Sequence, residues 1–175
     1  IIVTHSEGFI SNKTIEHVKR FSLNEERNSV VYVPEITEDQ KGLIKILNNT
    51  QAARVLFLDK VLLIEGQDDE YFFRDVVKRL QPEISQDISI YETRGKDNIP
   101  SFKSFFESFG LKVYVIKDLD ATGKDFYNST VSFRNTGEAG IIRYRRDHPD
   151  LDEKIELKYP SCEFYLKKGA IEQYT

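Results

Sequence analysis

Apolar residues along this chain change their period several times, and each change marks a predicted element. Residues 1–4 (IIVT) read as a short apolar strand, and residues 14–21 have helical spacing, with Ile15, Val18 and Phe21 on one side. SVVYVP at 29–34 reads as a strand stopped by its proline. Thr37 followed three residues later by Gln40 is a capping-box signature, and Leu43, Ile44, Ile46 and Leu47 follow at helical spacing. A helix or broken helix is therefore predicted from there to about Leu58.

The pattern then becomes a cleaner alternation. Residues 61–65 (VLLIE) are an apolar strand ending in a carboxylate, and residues 68–80 form a helix with Phe72, Phe73, Val76, Val77 and Leu80 on its buried stripe. Residues 88–92 are a second strand. Residues 100–109 are a second helix, whose Phe102, Phe105, Phe106 and Phe109 recur at i, i+3, i+4 and i+7. That stripe reads as core rather than as a base-stacking platform. Residues 112–118 are a third strand with VYVI buried on both faces. Beyond Asp120 the pattern loosens, with part of a helix at 150–157, a strand at 163–166 and the start of a helix at 170–174. Apolar strands alternating with ten-residue helices imply right-handed crossovers and a parallel sheet, so the expected class is α/β.

Composition narrows the function classes. With 175 residues, 31% of them charged and 39% hydrophobic, the balance is that of a folded domain, not a disordered chain. The strongest apolar runs, Val61 to Ile64 and Val113 to Ile116, fall far short of the ~18 residues of a membrane span, so a soluble protein without membrane association is expected. A lone cysteine, Cys162, excludes an internal disulfide, and the opening residues have no secretory pattern, which makes the cytoplasm the expected compartment. The chain opens on Ile1 and contains no methionine, so it is expected to be a piece of a longer protein. The net charge of −4 argues against a basic nucleic-acid coat. It does not exclude nucleic acid, because metal ions bound by carboxylates reverse the local field. Arg134, Arg143, Arg145 and Arg146 fall within thirteen residues, and Arg94, Lys96, Lys103, Lys167 and Lys168 lie elsewhere; they read either as solvated surface or as a phosphate-facing edge.

The candidate chemistry lies at strand ends, where open parallel sheets gather their ligands. Glu65 closes the first strand of the alternating region, with Gly66 behind it permitting a tight turn. Asp69 falls in the first turn of the next helix, placed to face back toward Glu65. Asp118 and Asp120 close the third strand two residues apart, a spacing that in extended chain projects both side chains to one side. Carboxylates converging on one point repel one another, and a hard divalent cation such as Mg²⁺ or Mn²⁺ relieves the repulsion. A Glu-Gly or an Asp-x-Asp alone is most often a turn or a cap. Their joint placement on two core strands of one sheet is the informative fact.

The stretch LFLDKVLLIEGQDDEYFF followed by VYVIKDLDATG resembles the TOPRIM fold of topoisomerases, primases and nucleases. The lead-in NTQAARVLFLDKVLLIEG is similar to the OLD (overcoming lysogenisation defect) family of ATP-linked nucleases, relatives of the nuclease subunit of the Gabija anti-phage system. The resemblance implies a Rossmann-like TOPRIM sheet over residues 51–175, which it leaves open to truncation at the C-terminus. It also implies that Asp69 is the acid four residues past the Glu-Gly glutamate, and that Glu172, in YLKKGAIEQYT, is the distal glutamate, with Glu163 in PSCEFYL as the alternative. The family's further lysine would fall past Thr175; Lys167 or Lys168 is the alternative phosphate neighbour, and no spacing favours either. The opening IIVTHSEGFIS resembles the last core strand and switch histidine of an ABC-type ATPase. On that resemblance residues 1–50 are the end of such a domain with a connecting helix, and His5 senses the γ-phosphate of ATP bound through motifs upstream. His17 and His148 have no partner pattern and read as surface residues.

What the resemblance implies is a metal-dependent DNA endonuclease in anti-phage defence. Two Mg²⁺ or Mn²⁺ ions would be held by Glu65, Asp69, Asp118, Asp120 and Glu172, with DNA as partner, self-association into a homo-oligomer and a defence-system protein beside it. Two rivals stand beside it. One is a non-catalytic or regulatory metal-binding module. The other is a haloacid-dehalogenase-like phosphatase reading of DLDATG, with Asp118 as nucleophile, Asp120 as acid/base and Thr122 on phosphate. The latter lacks a later acidic pair, and its motif belongs on a first strand, whereas here a Glu-Gly strand precedes it.

Overall fold

The computed structural model describes residues 2–4, 6–11, 13–24, 26–37, 40 and 50–174, with the side chains of Glu7, Thr50, Gln51, Ala52 and Glu172 outside the description. Its centre is a four-stranded sheet built from β3 (Lys60–Ile64), β4 (Ile88–Glu92), β5 (Lys112–Lys117) and β6 (Glu163–Tyr165), in the spatial order β4-β3-β5-β6. Every pairing is parallel, with Ile64 opposite Glu92, Leu63 opposite Val115 and Val115 opposite Glu163. The α/β class with helices flanking a parallel sheet is therefore as the alternation predicted.

The connection from β3 to β4 runs through α2 (Gln67–Leu80), and that from β4 back past β3 to β5 runs through α3 (Ile99–Ser108). The chain steps off β3 first to one side and then to the other. Right-handed crossovers in opposite directions put α2 and α3 on opposite faces of the sheet. The face under α3 is the dry one: Phe102, Phe105, Phe106 and Phe109 are all fully buried and pack on Val61, Leu63, Tyr91, Val113 and Val115. Most of their rings meet edge-on or tilted, as between Phe105 and Phe106 (5.3 Å) and between Tyr91 and Phe102 (5.1 Å), while Phe102 and Phe106 stack at 6.3 Å. The phenylalanine stripe is core, as its spacing predicted.

The α2 face departs from expectation. Phe72, Phe73, Val76 and Val77 are only half-buried and Leu80 is exposed, so the stripe read as buried is a partial cover. The same holds in β5, where Val113 and Val115 are buried while Tyr114 and Ile116, on the other face, are half-buried. Hydropathy period reports which side of an element is apolar. It does not report how much of that side a neighbour covers.

The N-terminal part also differs. Residues 2–4 form no strand, and the predicted helix at 14–21 is a single 3-10 turn, Ile15–His17, followed by β1 (Arg20–Leu23). β1 pairs antiparallel with β2 (Ser29–Tyr32), Arg20 opposite Tyr32. Strand alternation in RFSL won over the helical spacing because Arg20 has a task that fixes it. Its buried guanidinium donates to the carbonyls of Leu56 (3.0 Å), Leu58 (2.9 Å) and Phe109 (3.2 Å), joining the hairpin to the chain beyond α1 (Thr50–Val55) and to the end of α3. The Tyr32 ring lies against Gly110, whose φ of +75° and lack of a Cβ admit it. The predicted capping box is present, with Thr37 N–H donating to Gln40 Oε1 (3.0 Å) and Gln40 N–H to Thr37 Oγ1 (3.4 Å). Most of the helix it was expected to open, at 41–49, lies outside the described residues; within the expected span to about Leu58, Thr50–Val55 is helical as α1.

Between β5 and β6 the loose region holds three helices that the sequence pattern left mostly unassigned: α4 (Ala121–Tyr127), α5 (Gly137–Asp147) and α6 (Leu151–Glu156). They close a second small core of Leu119, Ile141, Tyr144, Leu151, Ile155 and Tyr165. Nothing among the described residues is a helix long and apolar enough to cross a membrane.

Adjacent residues of β1 should respond in opposite ways to truncation. Arg20→Ala strands three carbonyls and is expected to cost about 2–4 kcal/mol, whereas Phe21→Ala, at a side chain 66% exposed, should change stability by no more than about 0.5 kcal/mol. Urea unfolding followed by circular dichroism measures both.

Candidate metal centre

The strand order decides where the acids meet. Because β3 lies between β4 and β5, the chain leaving its carboxyl end faces the chain leaving β5, and the crevice between them is the site that such sheets offer to ligands. Glu65 is the first residue past β3 and Asp118 the first past β5. They touch: Asp118 N–H donates to Glu65 Oε1 at 3.2 Å. Oxygen atoms of Glu65, Asp118 and Asp120 lie within 4.8 Å of one another, a group of three able to hold a metal ion.

Asp120 arrives there by a different route from the one its spacing suggested. It is not in extended chain; its φ of −66° and ψ of −21° are helical, and it is the residue that opens α4. The chain turns after Asp118, with Ala121 N–H donating to the Asp118 carbonyl (3.1 Å) and Thr122 Oγ1 to that of Leu119 (2.6 Å). The turn folds Asp120 back over the strand end. Its Oδ2 accepts from Lys96 Nζ at 3.2 Å, while its Oδ1 is buried with no hydrogen-bond partner among the described residues. An acceptor-only oxygen, buried without a donor in a residue that shares its site with two other carboxylates, is costly unless a cation completes it. Three oxygen donors with one such orphan fit a hard divalent ion.

Asp69 stands beside this group rather than within it. It lines, with Glu65, Gly66, Gln67, Asp68 and Asp118, a cavity of about 240 Å³ at the start of α2. Its Oδ2 accepts from Gly66 N–H (3.1 Å), capping the helix, and its charge raises the pKa of Glu65. The expectation that it faces back toward Glu65 agrees with this placement. Glu172 lies in a 3-10 turn, Ile171–Tyr174, and its side chain is outside the description. The segment leading to it is tied to the site, since Leu119 N–H donates to the Gly169 carbonyl at 2.9 Å. His5 also lies outside the described residues.

The alternatives to these ligands are engaged elsewhere. Glu163 sits opposite Val115, well back from the strand ends, and is paired with Lys103 (2.8 Å) and Lys117 (3.8 Å) in a network that continues to Asp125 and Tyr165. Lys167 faces Asp152 and Glu156, and Lys168 lies over the Tyr174 ring. His148, read as a surface residue, is half-buried against the rings of Tyr127 and Tyr144, with Nδ1 2.9 Å from the Tyr144 carbonyl. Thr122, the phosphate contact of a phosphatase reading, is fully buried between the Leu119 carbonyl and the Tyr144 hydroxyl, which leaves it no face for a substrate.

The basic residue that sequence reasoning missed at the site is Lys96. In the sequence it is one cation among several scattered along the chain. The available signal was its place in RGKDN, a turn just past the end of a strand adjoining β3, but that adjacency depends on the strand order and is not visible in the sequence.

Burial raises the pKa of Glu65 above the usual 4.5; the Asp118 N–H opposes this, Asp120 raises it further, Lys96 lowers it and Asp69 raises it. A carboxyl whose folded pKa lies above its unfolded value binds its proton more tightly in the folded chain, so it favours folding at low pH and that contribution is lost as pH rises through the folded value. Glu65→Gln should therefore raise the thermal midpoint of the metal-free chain at pH 8, and the advantage should vanish at pH 4. Scanning calorimetry in EDTA at the two values tests this; an equal effect at both would show that charge is not the cause.

Residues 56–120 match the family model described as Overcoming lysogenization defect protein-like, TOPRIM domain. That span contains β3, α2, β4, α3, β5 and three converging acids: Glu65, Asp118 and Asp120. No curated protein matches the chain.

Proposed function

From the OLD-like TOPRIM domain that residues 56–120 constitute, we propose that this protein is a metal-dependent DNA endonuclease. A TOPRIM sheet carries metal-dependent nuclease or nucleotidyl-transfer chemistry, and an acidic group suited to a metal is present. The observation that carries this reading is the convergence of Glu65, Asp118 and Asp120, with Asp120 Oδ1 buried and lacking a hydrogen-bond partner among the described residues, at the crevice where a parallel sheet receives its ligand.

In this reading Glu65, Asp118 and Asp120 hold Mg²⁺ or Mn²⁺, with Asp69 and Glu172 completing a second ion site. The ions supply an activated water and neutralise charge on the scissile phosphate. The chain's own contribution is placement. Gly66 leaves the approach to Glu65 free of a side chain, the Asp118 N–H orients the Glu65 carboxylate, and the turn into α4 aims Asp120 at both. Residues 1–50 are read as the end of an ABC-type ATPase domain with its connecting helix, His5 as its γ-phosphate sensor, and residues 51–175 as the nuclease domain. The biological role is read as phage defence by an oligomeric ATPase-nuclease working with a partner protein.

Incubation of supercoiled plasmid with the protein and Mg²⁺ or Mn²⁺ should give nicked and linear products, and EDTA should abolish them. Glu65→Ala and Asp118→Ala should each lower the rate by at least about 10²-fold while leaving circular dichroism unchanged. Bound Mn²⁺ in calorimetry without any cleavage would replace this reading with that of a regulatory metal-binding module.

A further inference from the structure

Lys96 is held at the carboxylate cluster by construction rather than by chance approach. It begins a short 3-10 turn directly after Gly95, whose φ of +119° is a conformation glycine adopts without strain. Gly95 N–H donates to the carbonyl of Glu65 at 2.8 Å, so the turn hangs on the same residue that supplies one of the acids. Thr93 Oγ1 donates to the Ile64 carbonyl (2.9 Å), and Asn98 Nδ2 donates to the carbonyl of Thr93 (2.9 Å), fixing the turn from both sides. The stem of Lys96 therefore starts from a point as rigid as the strand end itself.

The head of the side chain is not rigid in the same way. Nζ reaches Asp120 Oδ2 at 3.2 Å, longer than the about 2.7–2.9 Å of a tight charge-assisted bond, and the side chain is 35% exposed. It takes Oδ2 of Asp120 and leaves the buried Oδ1 without a hydrogen-bond partner among the described residues. A cation bound among the three acids would draw on the Asp120 carboxylate and would repel the ammonium paired with it. A phosphodiester approaching the same acids would be repelled by them and needs a positive group at their rim.

We propose that Lys96 is an exchangeable cation of this site. It neutralises Asp120 while the metal is absent, and it passes to a non-bridging oxygen of the nucleic-acid phosphate when metal and substrate are bound. The proposal rests on the nuclease reading and adds to it a residue that touches substrate. It predicts opposite signs for two measurements on one variant. Lys96→Met keeps the stem and removes the charge, so Mn²⁺ should bind about 3–10-fold more tightly in a calorimetric titration, because a competitor for Asp120 is gone. Single-turnover cleavage of plasmid at saturating Mn²⁺ should fall by about 10–100-fold, the value of one charge-assisted contact. Lys96→Arg should restore most of the rate.

Weaker Mn²⁺ binding together with slower cleavage would make Lys96 a mere prop for Asp120 and would overturn the proposal. Unchanged cleavage in Lys96→Met would overturn it as well. Wild type that neither binds Mn²⁺ nor cuts would remove the nuclease reading itself and this proposal with it, an outcome distinct from a failure confined to the variants.

Discussion

The position of β3 between β4 and β5 is the constraint on which the rest of the molecule depends. A strand that begins a run of crossovers and ends up internal forces the chain to leave it in both directions. That reversal puts helices on opposite faces, opens a crevice at the strand ends and makes Glu65 and Asp118 neighbours although fifty-three positions separate them. It also buries β3 on both sides, and the run VLLI, with every residue buried, is the consequence in sequence. The same apolar run that anchors the sheet thus delivers the glutamate that follows it to a partly desolvated place, where its charge is costly.

The two faces of the sheet divide the work. Under α3, four phenylalanines with no exposed surface lock β3, β4 and β5 into one body, and Arg20 ties the hairpin to the end of that helix. Burying one such ring is worth roughly 1.5–3 kcal/mol, so the excess stability needed to hold repelling carboxylates together sits on this side. The α2 face is only half covered. It begins at Gly66 and Asp69, against the acids, so the lightly packed helix is the one whose first turn borders the site. Rigidity beneath the site and freer packing beside it follow from the distribution of aromatic residues alone.

What was legible in the sequence divides along the same physical line. β3 to β5 and their helices were readable because each is long enough, and buried enough on at least one face, for its period to show. The acids at Glu65, Asp118 and Asp120 were readable because they interrupt those runs at their carboxyl ends. The 14–21 segment was misread because helical spacing over two turns and strand alternation over four residues fit the same letters, and the deciding contacts of Arg20 lie thirty-six to eighty-nine positions away. Helix α4 was obscured by its short length and α5 by its polar faces, their buried residues belonging to a small separate core. Lys96 was invisible as a site residue, since nothing local distinguishes it from other lysines. Only the placing of β4 beside β3 brings its turn to Glu65.

Asp120 shows how the fold turns an unfavourable charge arrangement into a usable one. Asp120 opens α4, and its two oxygens differ in surroundings: Oδ2 meets Lys96, while Oδ1 is buried with no hydrogen-bond partner among the described residues. The first keeps the cluster tolerable in the absence of a cation, because an ammonium offsets part of the repulsion. The second keeps it receptive, because a buried acceptor without a donor gains most from a metal and least from water. A glutamate at this position would reach past the cluster, and an asparagine would place a donor among acceptors. The chemistry therefore selects the short, doubly accepting side chain, and the turn into α4 is what brings it to Glu65 and Asp118.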